Sequence, residues 1–232
     1  MLNSSVIFYL ETNKALRTPN YQLPTWLVSG AELPNSQPIV NISTSDFTTI
    51  LNQAAQSVDR PTKEVMVTAL QAAEIFARRE KLTIPFESLL GEWRLCFATG
   101  AKKDKQRGGI KLGSGFYFPK VTPASIAFTQ DAGSLTGTAT NKLIVAAVQF
   151  KFTGPCRYPG KKNLLAFDFT QIQLKILGAT IYQGKIRSGK RGGKDFEQLE
   201  IANLPFFAFF WAGEHGIAAR GRGGGLALWV RD

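Results

Sequence analysis

Leu89-Leu90-Gly91-Glu92-Trp93-Arg94-Leu95-Cys96-Phe97 is the stretch at which the chain changes character. A short helical turn ends, a glycine follows, and the residues beyond it alternate with period two. Trp93, Leu95 and Phe97 fall on one face, and Arg94, Cys96 and Ala98 on the other, as in a half-buried strand. Everything before Gly91 has helical or irregular patterning. Everything after it has the patterning of antiparallel strands.

Upstream, Pro19, Pro24, Pro34 and Pro38 punctuate residues 1 to 44, which predicts an extended arm, with Trp26 and Leu27 as its anchors. A first helix is expected from about Asp46 to Val58, with Thr44 or Ser45 as N-cap. A second is expected from Asp59 as N-cap, with Pro61 in its first turn, to about Lys81. Met66, Leu70, Ala73, Phe76 and Ala77 give that helix one apolar stripe. Pro85 opens a last short turn before Gly91. Residues 45 to 90 are therefore a helical lead-in, and 45 to 232 one domain.

Downstream, Phe116-Tyr117-Phe118 ends at Pro119, and a strand runs from about Ala124 to Gln130. Residues 133 to 140 form a thin strand. A longer one is expected from Leu143 to Thr153, with Ile144, Ala146, Val148, Phe150 and Phe152 on one face, broken by Gly154-Pro155. From Asn163 to Leu177 the apolar set is Leu165, Phe167, Phe169, then Ile172, Leu174, Ile176. That slip by one marks a β-bulge, which bends a strand around a barrel corner. Strands from Ala179 and from Pro205 come next, and Gly216 to Arg220 pairs with Leu226 to Arg231 in a terminal hairpin. The fold class is mainly β: a closed antiparallel barrel of about eight to ten strands over residues 91 to 232, preceded by two or three helices.

The 232 residues include 17 Phe and 22 Gly, which suit a strongly curved sheet with an aromatic interior. Before residue 91 there are 7 Lys/Arg against 8 Asp/Glu; from there on, 21 against 9. A barrel carrying +12 favours an anionic partner: a membrane with anionic lipid, an acidic protein or nucleic acid. The longest apolar runs are too short for a spanning helix. Val6 to Leu10 has no basic leader before it and Glu11 adds an early acid, so neither a secretory signal nor a transit peptide is expected. Cys96 and Cys156 stand alone, which points to two reduced thiols rather than a disulfide framework or a metal site.

Two segments together resemble a known family. Leu90-Gly91-Glu92-Trp93-Arg94-Leu95 and the terminal Ile217 to Arg231, with Arg220-Gly221-Arg222-Gly223-Gly224-Gly225 at its turn, are similar to the plastid lipid-associated proteins, or fibrillins, over residues 45 to 232. The resemblance implies a lipocalin-like (calycin) barrel that binds a lipophilic molecule without catalysis: a carotenoid, quinone, fatty acyl chain or other lipid. It implies peripheral association with photosynthetic membranes, and a cytoplasmic or thylakoid-associated member from a cyanobacterium or plastid. In lipocalins the Gly-x-Trp tryptophan closes one end of the barrel under a late arginine. By that likeness Trp93 pairs with Arg231 or Arg220.

The candidate ligand-binding residues are Trp93, Phe97, Phe116, Phe118, Phe128, Phe150, Phe167 and Phe169, with Asp168 as the one carboxylate among apolar neighbours. The candidate membrane-facing residues are Lys102, Lys103, Lys105, Arg107, Lys185, Arg187, Lys190 and Arg191. Neither a metal nor a bound cofactor other than the lipophile is expected, and no catalytic residue is assigned. His215 sits in a turn without a serine or cysteine partner in sequence. Two rivals remain: a basic β-barrel binding nucleic acid, and a calycin-type enzyme or chromophore lyase using Asp168 or an acidified cysteine.

Overall fold

The computed structural model describes residues 44–56, 59–103, 110–121, 123–186 and 195–231. The N-terminal arm, with Trp26 and Leu27, lies outside these residues. Helix α1 spans Thr44–Gln56 and α2 spans Lys63–Arg79. Thr62 caps α2, its Oγ1 accepting the Val65 N–H at 3.4 Å. Asp59 does not, because capping there would set Arg60 in a helical conformation directly before Pro61, where proline Cδ crowds it.

Among the described residues, thirteen strands come after the helices. They are β1 (Gly91–Ala98), β2 (Ala101–Lys103), β3 (Ile110–Leu112), β4 (Phe116–Tyr117), β5 (Ala124–Gln130), β6 (Thr136–Val145) and β7 (Val148–Arg157). Next come β8 (Leu164–Phe167), β9 (Gln171–Ile176), β10 (Ala179–Lys185), β11 (Phe206–Ala212), β12 (Gly216–Gly221) and β13 (Leu226–Val230). Eight of them, in the order β1-β5-β6-β7-β8-β11-β12-β13, pair antiparallel and return to β1, closing a barrel. Closure leaves these strands no open edge within the ring.

The two faces of the barrel wall are both apolar where the helices cover it. Inside, Trp93, Leu95, Phe118, Ile126, Phe128, Leu165, Phe167, Phe207, Phe209, Ile217 and Trp229 form one buried cluster. Outside, α1 and α2 bury Met66, Leu70, Leu51 and Phe47 against Cys96, Phe97, Phe210, Leu228 and Val230. Arg220 of β12 reaches out to Glu74 of α2: Nε donates to Oε1 at 2.6 Å, and Nη2 bonds Oε2. This clasp holds α2 on the barrel.

Three sequence expectations need correction. The alternation from Trp93 to Phe97 breaks, because the β1–β13 register shifts between Leu95 and Phe97. Cys96 and Phe97 both turn to the helices, and Ala98 turns inward. The expected single strand from Leu143 to Thr153 is a hairpin: the chain reverses at Ala146-Ala147, with Val145 opposite Val148. Its inward-facing residues are thus Leu143, Val145, Val148, Phe150 and Phe152, rather than a set including Ile144 and Ala146. Gly154-Pro155 does not end β7, which runs on to Arg157.

The slip between Phe169 and Ile172 corresponds to a real irregularity, at which the stretch expected as one bent strand from Asn163 to Leu177 divides into β8 and β9. Cys156 faces Phe167 and Thr153 faces Gln171, so three steps along β7 match four along its neighbour. Gly154 is needed there, since a side chain would run into the Asp168 carbonyl. On one side of this bulge, β8 pairs with β11 and completes the barrel. On the other, β9 leaves the barrel wall and takes β10 as its outer neighbour. The far halves of β6 and β7, with β9 and β10, form a four-stranded ribbon projecting beyond the barrel rim.

Candidate functional site at the barrel mouth

The two ends of the barrel differ. At the end where β1 begins, Trp93 is fully buried, and its Nε1 donates to Leu89 O at 2.8 Å. The Arg231 guanidinium lies 4.2 Å from the Trp93 ring centroid and Nη2 donates to Leu90 O at 3.0 Å. Arg220 takes no part in this contact; it belongs to the Glu74 clasp. The segment before β1 fills the rest of this end. Phe86 stacks on Tyr158 at 5.3 Å, and the Tyr158 hydroxyl donates to Ile84 O at 2.7 Å. Asn163 accepts the Ile84 N–H at 3.0 Å and donates to Leu82 O at 2.8 Å. Burial pushes the Tyr158 hydroxyl well above its ordinary range, so it stays a neutral donor.

The middle is filled by side chains. Phe128, Phe209, Phe207 and Phe167 are all buried. Their ring centroids are 6.1 Å apart for Phe128–Phe209, 6.2 Å for Phe207–Phe209 and 5.2 Å for Phe167–Phe207. Trp229 meets Phe207 edge-on at 5.1 Å. Such contacts belong to a close-packed aromatic core.

At the opposite end the packing loosens. From Phe167 the rings continue to Phe169 at 5.0 Å and from Phe169 to Phe152 at 6.1 Å. Both Phe169 and Phe152 are half-buried, as are Phe116 and Phe150 on the same rim. Pairing register then carries the interior face outward along the ribbon. Leu143, Phe150 and Leu174 lie abreast, with Tyr182 beyond Leu174; Val145, Val148 and Ile176 form the next row. Leu143 is buried, whereas Phe150, Phe152, Ile172 and Leu174 keep part of their surface in solvent, and Ile176 and Tyr182 are exposed. None of the ribbon residues beyond the rim joins a buried cluster.

The ribbon's other face is mostly polar, although Ile144 lies on it opposite Gln149. Lys142, Thr140, Gln149, Lys151, Gln173, Lys175, Gln183 and Lys185 alternate with the apolar set. Lys142 reaches Glu92 of β1 at 2.5 Å, and Glu92 also accepts from Ser125 at 2.7 Å. The hydrogen bonds from Lys142 and Ser125 hold the Glu92 carboxyl below its ordinary value. Residues 132 to 194 contain one acid, Asp168.

The predicted site residues therefore separate into groups. Trp93 belongs to the closed end. Phe118, Phe128 and Phe167 belong to the filled core, and Phe116, Phe150 and Phe169 to the mouth. Phe97 faces the helices and meets Tyr117 at 4.9 Å, outside the barrel interior. Asp168 is buried at the bulge, and its N–H donates to Pro155 O at 3.0 Å. Among the basic residues, Lys185 is exposed at the end of β10, and Lys102 and Lys103 belong to β2, which leaves the barrel at the mouth end. Lys105, Arg107, Arg187, Lys190 and Arg191 lie outside the described residues. Sequence patterning alone assigns no binding role to Phe152, Ile172, Leu174 and Tyr182. Their one signal is apolar alternation continuing on strands that the barrel does not need.

Cys156 is buried inside, and burial pushes its thiol up to about 12, so it is a poor nucleophile at neutral pH. Among the described residues, no group of three or more His, Cys, Asp or Glu is placed to hold a metal ion, and no helix is long and apolar enough to cross a membrane. Compared with known proteins, the chain matches no family model, no curated protein and no solved structure.

Proposed function

We propose that this protein is a non-enzymatic, lipocalin-like carrier of a lipophilic molecule, of the kind the fibrillin resemblance implies, held peripherally at an anionic, photosynthetic membrane. The ligand is an extended apolar molecule such as an acyl chain, a carotenoid or a quinone tail. The observation that carries this reading is the apolar face that runs from the filled core through Phe167, Phe169 and Phe152 onto the ribbon, where it stays partly open. Such a face costs free energy in water and gains about 0.8 kcal/mol for each ligand methylene it shelters. The ligand lies at the mouth, along Phe116, Phe150, Phe152, Ile172 and Leu174. The barrel middle, packed with aromatic rings, serves as its platform.

Nucleic-acid binding fits less well. Bases need aromatic faces beside the cations that hold their phosphates. Here the aromatics and the lysines occupy opposite faces of one ribbon. A thiol-based lyase is disfavoured by the raised Cys156. The test is organic extraction of the purified full chain followed by mass spectrometry. A lipophilic species bound at near-stoichiometric amount is expected, and its loss on Phe150→Ser with Phe152→Ser. A chain that extracts clean and binds no added fatty acid or carotenoid refutes the reading.

A further inference from the structure

The ribbon ends in two hairpin tips lying side by side. One is Val145-Ala146-Ala147-Val148 between β6 and β7; the other is Ile176-Leu177-Gly178-Ala179 between β9 and β10. The Leu177 N–H donates to Ala147 O at 2.9 Å, which joins them into one blunt edge. Eight residues at this edge include no polar side chain. Leu177 is 85% exposed. Val121, in the loop before β5, is equally exposed and lies at the same end, since Pro123 O accepts the Ile144 N–H at 3.0 Å.

The turn chemistry makes this composition unusual. Leu177 (φ +51°) and Gly178 (φ +82°) are both left-handed, as a two-residue type I′ turn requires. Asn or Asp ahead of Gly is the favoured pair there, and a leucine is strained in that region. Ala146 likewise sits at φ +52°, where glycine or asparagine is ordinarily found. Both tips thus hold apolar residues where local energetics and solubility favour polar ones. A rule broken twice at adjacent, exposed positions points to a function outside the fold.

Charge decides what meets this edge. On the outer face Lys151 stands three residues back from Val148 and Lys175 directly precedes Ile176, with Lys142, paired to Glu92, three residues back from Val145 and Lys185 farther along β10. The ribbon strands, residues 136–157 and 171–185, contain no Asp or Glu. Apolar tips with cations set behind them match the acyl region and the anionic headgroups of a bilayer. Tyr182, on the strand behind the tip and 53% exposed, sits where membrane proteins place their interfacial aromatics. The free edge of β10 is blunted against pairing with another chain, because its register is bulged between Thr180 and Tyr182 and Lys185 ends it.

We infer that the paired tips at Ala146-Ala147 and Leu177-Gly178 insert into the headgroup region of an anionic lipid bilayer and orient the barrel mouth toward it. This rests on the carrier reading only for the purpose of that orientation; the docking itself stands on the tips. The test uses the full chain and vesicles of phosphatidylglycerol with phosphatidylcholine, against phosphatidylcholine alone. Leu177→Asn creates the favoured Asn-Gly turn, so its unfolding midpoint should hold or rise. It should nonetheless lose about tenfold or more in partitioning to the anionic vesicles, as removal of one buried leucine requires. Leu177→Trp should bind, with added emission that shifts to the blue and is quenched by lipids brominated on their acyl chains. The proposal is overturned if Leu177→Asn partitions like the parent chain. It is also overturned if the Leu177→Trp indole stays in water on bound vesicles, or if Leu177→Asn abolishes self-association while the parent ignores vesicles. A chain that docks by its tips yet extracts clean defeats the carrier reading alone, and one that holds a lipophile yet ignores vesicles defeats this proposal and the membrane association proposed above, leaving lipophile binding standing.

Discussion

Phe128→Ala separates a filled barrel from a hollow one. Phe128 is 1% exposed, belongs to β5, and meets Phe209 edge-on with centroids 6.1 Å apart. In a close-packed interior its truncation removes the transfer free energy of the ring and leaves a cavity that its neighbours only partly fill. Buried Phe→Ala changes of this kind cost about 3–5 kcal/mol. For a domain of this size each kcal/mol lowers the unfolding midpoint by about 2–4 °C, so a fall of about 6–20 °C is expected. Urea unfolding followed by circular dichroism should show the same loss with the m-value unchanged. Phe150→Ala, at the mouth, should cost less than Phe128→Ala, because Phe150 keeps part of its surface in solvent and joins no buried cluster. Binding of a fluorescent fatty acid should respond in the opposite order: weakened by Phe150→Ala and nearly untouched by Phe128→Ala. Should Phe128→Ala cost less than about 1.5 kcal/mol and abolish fatty-acid binding, the interior is a ligand cavity and the placement of the site at the mouth is wrong.

Two further predictions concern the outer wall. Glu74→Ala should destabilise by about 2–4 kcal/mol, because it leaves the Arg220 guanidinium buried against α2 without its carboxylate; Glu74→Met with Arg220→Met should recover most of that loss in a double-mutant cycle. Glu92 titrates below its ordinary range in the folded state, so its contribution is present at neutral pH and lost as pH falls through that lowered value. Stability measured from pH 7 downward should decline in the acid range, and Glu92→Gln should flatten that limb by under about 1 kcal/mol, a small effect because the pair is half-exposed.

The division at Gly91 was legible because two periods meet there, and so was the bulge beside Asp168. The step from Phe169 to Ile172 breaks a strict alternation, and only an added residue restores it. The bulge in β1 left no such mark. Cys96 and Phe97 are both apolar and both faces of that strand are covered, so hydrophobicity could not reveal which way Phe97 turns. The reversal at Ala146-Ala147 was invisible for a related reason: turn readings rest on Gly, Asn, Asp and Pro, and this turn has none. The Arg220 partner could not be read either, since Glu74 lies 146 residues away and no local pattern links them. The feature that defines the candidate site, an apolar face extending past a barrel already closed by eight strands, emerges only once the ring is counted.

The most direct measurement is photo-crosslinking of the full chain with a diazirine-bearing fatty acid, followed by peptide mapping. Labels are predicted on the ribbon face and rim, at Phe116, Phe150, Phe152, Ile172, Leu174 or Tyr182. Labels confined to Phe128, Phe209 and Phe207 in the barrel middle, or no specific label at all, would contradict the account.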